Sequence, residues 1–359
     1  LDAAAIAPPF EASVDCAAAG TRPDIVYVLA ESQAGPDPVP GTPLPLRYAL
    51  SYRSGDAKIH DLYVETFGAG TWMSNFSVMT GLSSADFRWQ APYINQLMQE
   101  RIRGALPALL SRCGYRTVSI IPMKQRTLNE GPFLRSLGFQ EVHDADTLGI
   151  GELETRDRIY YEHAEKLIAE HRARDKRPLF IAIQSIFPHS PYKQALVPRS
   201  EIAEDFDTDA GINEYLRRIA AARVDFERFS ERLAAAPGAN GVVLVEYGDH
   251  HSIAAAARIA ADTSGRYAFG DFRSALYKTY FAIHGYGRAI DFGRLGPDGD
   301  IAFLTARVLE AADLPTSPLF RDLARLNRRC LGRFHGCADR ASIDRHLKRR
   351  LAANMLVLD

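Results

Sequence analysis

Four short stretches of this sequence hold residues able to do chemistry: Glu31-Ser32, Thr71, His189 and Asp249-His250-His251. Thr71 lies in Gly68-Ala69-Gly70-Thr71-Trp72-Met73-Ser74-Asn75-Phe76, between the apolar run Leu62-Tyr63-Val64 and the segment Phe76–Leu82. The order is strand, glycine turn, hydroxyl, helix start. It presents one hydroxyl at a helix N-terminus, where free N–H groups and the helix dipole favour an anion. Two readings follow. Thr71 is a nucleophile beside a phosphate, or it is a plain N-cap, a place where threonine is preferred. Glu31, Asp249 and His250 supply two carboxylates and an imidazole. With the Thr71 oxygen they make a four-ligand N/O set suited to one divalent ion, Mn2+ or Zn2+, with Mg2+ also admissible. A cation there would lower the pKa of the hydroxyl and activate it. His189, in Phe187-Pro188-His189-Ser190-Pro191-Tyr192, is suited to protonating a leaving oxygen or orienting a substrate. His251 could be a ligand, a group behind the ligands, a substrate contact or a core histidine; the non-ligand roles are favoured, since adjacent residues rarely both reach one ion.

Buried strands must position these groups. Ile25–Ala30, Thr117–Ile121, Leu179–Ile183 and Val242–Val245 are continuous apolar runs of strand length. Such runs suit a parallel sheet covered on both faces. Helical patterns lie between them, over 105–113, 156–174 and 212–236. The alternation predicts an α/β fold with a mostly parallel central sheet sandwiched by helices. Ligands of such sheets bind beyond the carboxyl ends of the strands. Glu31, the Thr71 turn, His189 and Asp249-His250 each follow a predicted strand, so all four point to one rim. Lys124 and Arg126 follow the strand 117–121 and are candidates to meet an anion.

The chain has 359 residues, 47% hydrophobic and 24% charged, with a net charge of −1. That balance gives ample core and no nucleic-acid footprint. No apolar run reaches the roughly 20 residues that span a bilayer. The start at Leu1-Asp2 reads as a fragment or processed form, which leaves a signal or membrane segment upstream open. Residues 1–23, rich in Ala and Pro, read as a linker. Residues 321–350 hold ten Lys/Arg against three Asp. The region 321–359 therefore reads as a basic helical tail, lying on an anionic membrane surface or simply solvated. Of the four cysteines, Cys330 and Cys337 are spaced for a short disulfide loop, which leans towards an oxidising compartment.

The ordered set of motifs resembles the lipoteichoic acid synthase and phosphoglycerol transferase branch of the alkaline phosphatase/sulfatase superfamily. Gly68–Phe76 with Met79-Thr80-Gly81-Leu82 is similar to its nucleophile segment. Val26–Ser32 is similar to its first metal-ligand strand, Pro188–Tyr192 to its histidine loop, and Gly248-Asp249-His250 to its metal-binding turn. The resemblance covers roughly residues 24–320 and makes that stretch the catalytic domain, with 1–23 as a linker following an upstream membrane region. It implies one divalent ion, a phosphothreonine intermediate, a phosphatidylglycerol donor and a glycan acceptor. It also implies a periplasmic or extracytoplasmic domain of a cell-membrane protein. Two departures stand out. Asn75 replaces an acidic residue common in the branch, and Leu148-Gly149-Ile150-Gly151 occupies the region of its head-group loop, with Arg156 as a candidate basic partner. The rivals are a phosphoethanolamine transferase, a phosphodiesterase or sulfatase-like hydrolase, and a non-catalytic glycan- or lipid-binding relative. The Cys/Ser-x-Pro-x-Arg signature of sulfatases is absent, since Thr71-Trp72-Met73-Ser74-Asn75 has neither its Pro nor its Arg.

Overall fold

Eight strands form a single sheet in the computed structural model, which describes residues 8–16, 22–151, 153–262 and 270–358. They are β1 (Asp24–Ala30), β2 (His60–Tyr63), β3 (Arg116–Ile120), β4 (Glu141–His143), β5 (Leu179–Gln184), β6 (Val242–Gly248), β7 (Lys278–Tyr286) and β8 (Gly299–Asp300). Their order is β4-β3-β5-β1-β6-β7-β2-β8, and β7 alone runs antiparallel to its neighbours. The fold is therefore the expected mixed, mostly parallel sheet between helices. β4, β7 and β8 leave little pattern in the sequence: β4 and β8 have only three and two residues, and β7 carries His284 and Gly285 near its end.

The continuous apolar runs have a simple geometric cause. Side chains alternate across a strand. In β1, Ile25, Tyr27 and Leu29 enter one core while Val26 and Val28 enter the other. β6 divides in the same way, with Val243 and Val245 on the first side and Val242 and Leu244 on the second. The first core is covered by helices Thr71–Thr80, Leu106–Arg112, Glu130–Ser136, Leu304–Ala311 and Pro318–Arg329; the second by Asp157–Arg174 and Ala210–Ala235. Helices expected over 105–113, 156–174 and 212–236 thus stand within two residues of their predicted ends.

Both ends of the chain join this body. Phe10 is buried against the His346 ring, Asp15 bridges Thr316, and Cys16 is bonded to Cys113. Residues 8–16 are thus packed onto the domain, unlike a free linker. Leu323, Leu326, Phe334 and Ile343 lie in the first core, so no gap separates 24–320 from the region read as a tail. Much of the tail's charge is offset locally: Arg325 pairs with Asp322, Arg328 with Glu310, Arg329 with Asp339 and Arg340 with Asp344. Arg350 is fully buried and donates to the Thr80 carbonyl at 3.0 Å, placing a cation at the C-terminus of the Thr71–Thr80 helix.

Candidate metal centre and nucleophile

β1 lies between β5 and β6, and all three run parallel. Their carboxyl ends open on one rim, as does the turn that follows β2. Glu31 leaves β1, Asp249 and His250 leave β6, and Thr71 enters from the turn. Two glycines permit this convergence. Gly70 has φ +101°, and a Cβ there would stand 2.7 Å from Thr66 Oγ1. At Gly248 a Cβ would overlap the Gln33 carbonyl, so β6 and the chain after β1 approach closely only because the side chain is missing.

The N-cap of the Thr71–Thr80 helix is Gly70, with no side-chain cap, and Thr71 is the first helical residue. Its hydroxyl donates to Glu31 Oε2 at 2.8 Å and stands 3.4 Å from His250 Nε2. The N-cap reading of Thr71 is thereby replaced. The hydroxyl turns away from the backbone N–H groups, and the helix start stays open to an anion. Thr71 is half-buried, whereas Glu31, Asp249 and His250 are buried.

One ligand atom from each of Glu31, Asp249 and His250 lies within 4.8 Å of the others. Hydrogen bonds hold the set from behind. Asp249 Oδ1 accepts from the Ser32 and His250 N–H groups, both at 2.8 Å. Ser32 Oγ donates to Glu31 Oε1 at 2.7 Å, and Ser74 Oγ to the Asp249 carbonyl at 2.7 Å. His250 Nδ1 is 2.9 Å from the His251 carbonyl, an acceptor, so Nδ1 carries the proton and Nε2 offers a lone pair. That lone pair faces Asp249 Oδ2 at 3.2 Å, and this buried oxygen has no donor of its own. Two lone pairs meeting in a buried site are favourable only with a proton or a metal ion between them. The donor set, two carboxylates, an imidazole and a hydroxyl without thiolate, fits a divalent ion. Burial, and then the Glu31 charge, push the Asp249 carboxyl well above its usual range, which a cation would reverse.

The other expected residues divide. The His189 loop leaves β5 on the same rim. Arg218 holds it by donating to the His189 carbonyl at 2.9 Å and to that of Gln194 at 3.0 Å. Asp157 anchors its start by accepting from the Ile186 and Phe187 N–H groups. Arg156, expected to meet a head group, has all three guanidinium nitrogens engaged, with Asp225, Glu201 and the Ala221 carbonyl. It supports the loop by stacking on Phe187 and is no free cation. Lys124 pairs with Asp146 at 2.9 Å. Arg126 is exposed in a separate cleft with Gln99 and Arg135. His251 is outside the ligand set: its Nε2 donates to the Lys278 carbonyl at 2.8 Å, and burial pushes its pKa down to about 4. Cys330–Cys337 is a disulfide as expected, and Cys16–Cys113 is a second.

Several supporting residues gave no signal in the sequence. Arg223, fully buried, joins Glu246 of β6 at 2.5 Å and Gln33 at 3.3 Å, tying the two ligand-bearing chain segments together. Glu130 is buried beside Asn75 and accepts from Gln184 Nε2 at 2.6 Å. Burial raises its pKa to about 6. An acid therefore does stand next to Asn75, brought from another helix. Glu65, between β2 and the Thr71 turn, is held by His335 of the Cys330–Cys337 loop at 3.0 Å and by Ser77 and Ser84. Pairs so distant in the chain have no spacing to recognise.

A family model, Sulfatase, matches residues 23–269, and the chain belongs to that family. An uncharacterized protein of Haemophilus influenzae is 22% identical over 315 residues; the match takes in 84% of this chain and 55% of that protein, so the chain spans about half the length of that relative. Among the solved structures that share the fold are three transferases or their relatives. Streptococcus pyogenes phosphoglycerol transferase GacH, in complex with sn-glycerol-1-phosphate, has a TM-score of 0.69 at 18% identity, covering 92% of this chain and 85% of its own. The lipoteichoic acid synthase LtaP of Listeria monocytogenes has a TM-score of 0.63 at 17% identity, covering 84% and 76%. The C-terminal periplasmic domain of EcEptC from Escherichia coli, in complex with Zn, has a TM-score of 0.61 at 12% identity, covering 87% of both chains.

Proposed function

We propose that this chain is a metal-dependent phosphotransferase that moves phosphoglycerol from an anionic phospholipid, phosphatidylglycerol, to a glycan through a phosphothreonine at Thr71. The observation that carries this reading is the Thr71 hydroxyl at an uncapped helix start, 2.8 Å from Glu31, beside an orphaned Asp249 oxygen. Glu31, Thr71, Asp249 and His250 would hold one divalent ion, Mn2+ or Zn2+. When bound, it supplies positive charge for the phosphoryl oxygens and a lower pKa at the hydroxyl.

Thr71 Oγ1 attacks the phosphorus of the lipid phosphodiester. The helix N-terminus faces the phosphoryl oxygens and favours their charge. The hydroxyl proton passes to Glu31, its acceptor. The bond from phosphorus to the diacylglycerol oxygen breaks, and diacylglycerol leaves as the alcohol with a proton from His189. A glycan hydroxyl then attacks the phosphothreonine and gives its proton to His189. The Oγ1–phosphorus bond breaks, and Thr71 recovers its proton from Glu31. On this reading the domain works in the periplasm or another extracytoplasmic space at a membrane surface, which the two disulfides support.

A phosphoethanolamine transferase is the second reading, favoured by the fold shared with the zinc-bound EcEptC domain. Intact mass of metal-loaded protein, incubated separately with phosphatidylglycerol and phosphatidylethanolamine, tests both. A glycerophosphate adduct, absent in Thr71→Ala, supports the first. An ethanolamine phosphate adduct supports the second. Transfer by a folded Thr71→Ala variant refutes the mechanism, and absence of both adduct and bound metal supports a non-catalytic relative.

A further inference from the structure

The segment after the nucleophile helix has an unusual outward face. Over residues 89–98 the buried positions are Ala91, Ile94, Asn95 and Met98. The exposed ones are Trp89, Gln90, Pro92, Tyr93, Gln96 and Leu97, with no charge among them. Trp89 is 77% and Tyr93 58% exposed, high values for aromatic rings. Leu128, also exposed, borders this segment, since the buried Asn95 donates to its carbonyl at 3.2 Å.

The face is fixed to the active-site helix. Trp72, the residue after Thr71, donates from Nε1 to the Pro92 carbonyl at 3.1 Å, and Phe87 packs edge-on against Phe76. Cations flank it. Arg88 and Arg126 are exposed, and neither has an ion-pair partner among the described residues. Arg126 shares a cleft of about 590 Å3 with Arg135, where Glu100 is the one carboxylate lining it.

We propose that Trp89, Tyr93, Leu97 and Leu128 form a docking surface for an anionic phospholipid bilayer. Trp and Tyr rings suit the membrane–water boundary, with one apolar end and one polar end. The two leucines have no polar group for a sugar to meet but gain from burial among acyl chains. Arg88, Arg126 and Arg135 complement anionic head groups. The face adjoins Thr71 through Trp72, so a donor lipid reaches the nucleophile without leaving its bilayer. The proposal rests on the reading of the donor as a phospholipid.

The test uses the chain as it stands, with vesicles of phosphatidylcholine alone or mixed with phosphatidylglycerol. Cosedimentation should show binding that is stronger on the mixed vesicles. Trp89→Ser/Tyr93→Ser/Leu97→Ser should weaken it by about tenfold or more, the scale expected from losing three partly inserted apolar side chains. Arg88→Glu/Arg126→Glu should weaken binding to mixed vesicles only. Trp89 fluorescence, in a Trp72→Phe background, should shift to the blue on vesicles. The triple variant should turn over a water-soluble phosphodiester as the parent does but lose turnover of vesicle lipid. Vesicle binding unchanged in the triple variant overturns the proposal. So does a fluorescence shift produced by a soluble glycan and not by vesicles, or a dimer that the triple variant abolishes. Vesicle binding by the parent without any covalent adduct would retain the surface and refute the transfer reading. An adduct formed from detergent-dispersed lipid, with vesicle binding unchanged in the triple variant, would do the reverse.

Discussion

Replacing Asp249 by Asn should make the metal-free protein more stable while weakening its response to metal. Asp249 and Glu31 are both fully buried carboxylates, with ligand atoms within 4.8 Å. Two unit charges at that separation repel by about 3.5 kcal/mol at an effective dielectric constant of about 20. An asparagine keeps the Oδ1 that accepts from the Ser32 and His250 N–H groups. Its amide takes the place of the orphaned Oδ2 and can donate to the His250 Nε2 lone pair 3.2 Å away. At about 2 °C per kcal/mol for a chain of this size, the metal-free Asp249→Asn protein should melt up to about 7 °C above the parent, the full gap being reached only where pH ionises both carboxyls. The sign with pH follows from the raised Asp249 pKa. A carboxyl raised on folding loses stability as pH rises through its folded pKa, so the gap between variant and parent should widen with pH. Metal at a hundred times its dissociation constant should stabilise the parent by about 2.7 kcal/mol, or about 5 °C, and the variant by far less. Differential scanning calorimetry after chelation and after titration with Mn2+ or Zn2+ measures both effects. A metal-free variant that melts at or below the parent in mildly alkaline buffer, about pH 8.5, would refute the argument that two buried charges repel there.

Other consequences follow from the supporting residues. Glu246→Gln leaves the fully buried Arg223 cation without its counter-charge; the expected cost is about 3–5 kcal/mol, seen as a melting point about 6–10 °C lower. A change of less than a degree or so would show that Gln33, Ser51 and the Tyr52 and Phe226 rings satisfy Arg223 alone. The Glu65–His335 pair should give a pH signature. Burial works against both charges, but their mutual bond outweighs it, lowering Glu65 and raising His335. The Glu65 contribution is lost as pH falls through its lowered pKa, and that of His335 as pH rises through its raised one. His335→Gln should therefore cost most between about pH 4.5 and 6.5 and progressively less at alkaline pH. A melting-temperature difference independent of pH would exclude the ion pair.

The sequence determined the sheet's central strands, because a strand buried on both faces must be apolar at every position, as Ile25–Ala30 and Val242–Val245 are. It also determined the rim. Parallel strands end on the same side, so Glu31, His189 and Asp249-His250 had to share it whatever the strand order. The glycine turn identified Thr71 but left its hydroxyl between two roles. Only the tertiary structure decided that Gly70 takes the cap and Thr71 turns to Glu31, because that depends on which strand lies beside the turn. The same holds for Arg156, a free cation in the sequence and a neutralised prop in the fold, since Asp225 lies 69 residues away. The acid beside Asn75 comes from Glu130, and the base beside Glu65 from His335. Partners that packing joins across such separations leave no local pattern, since a hydrogen bond constrains distance in space and not position along the chain.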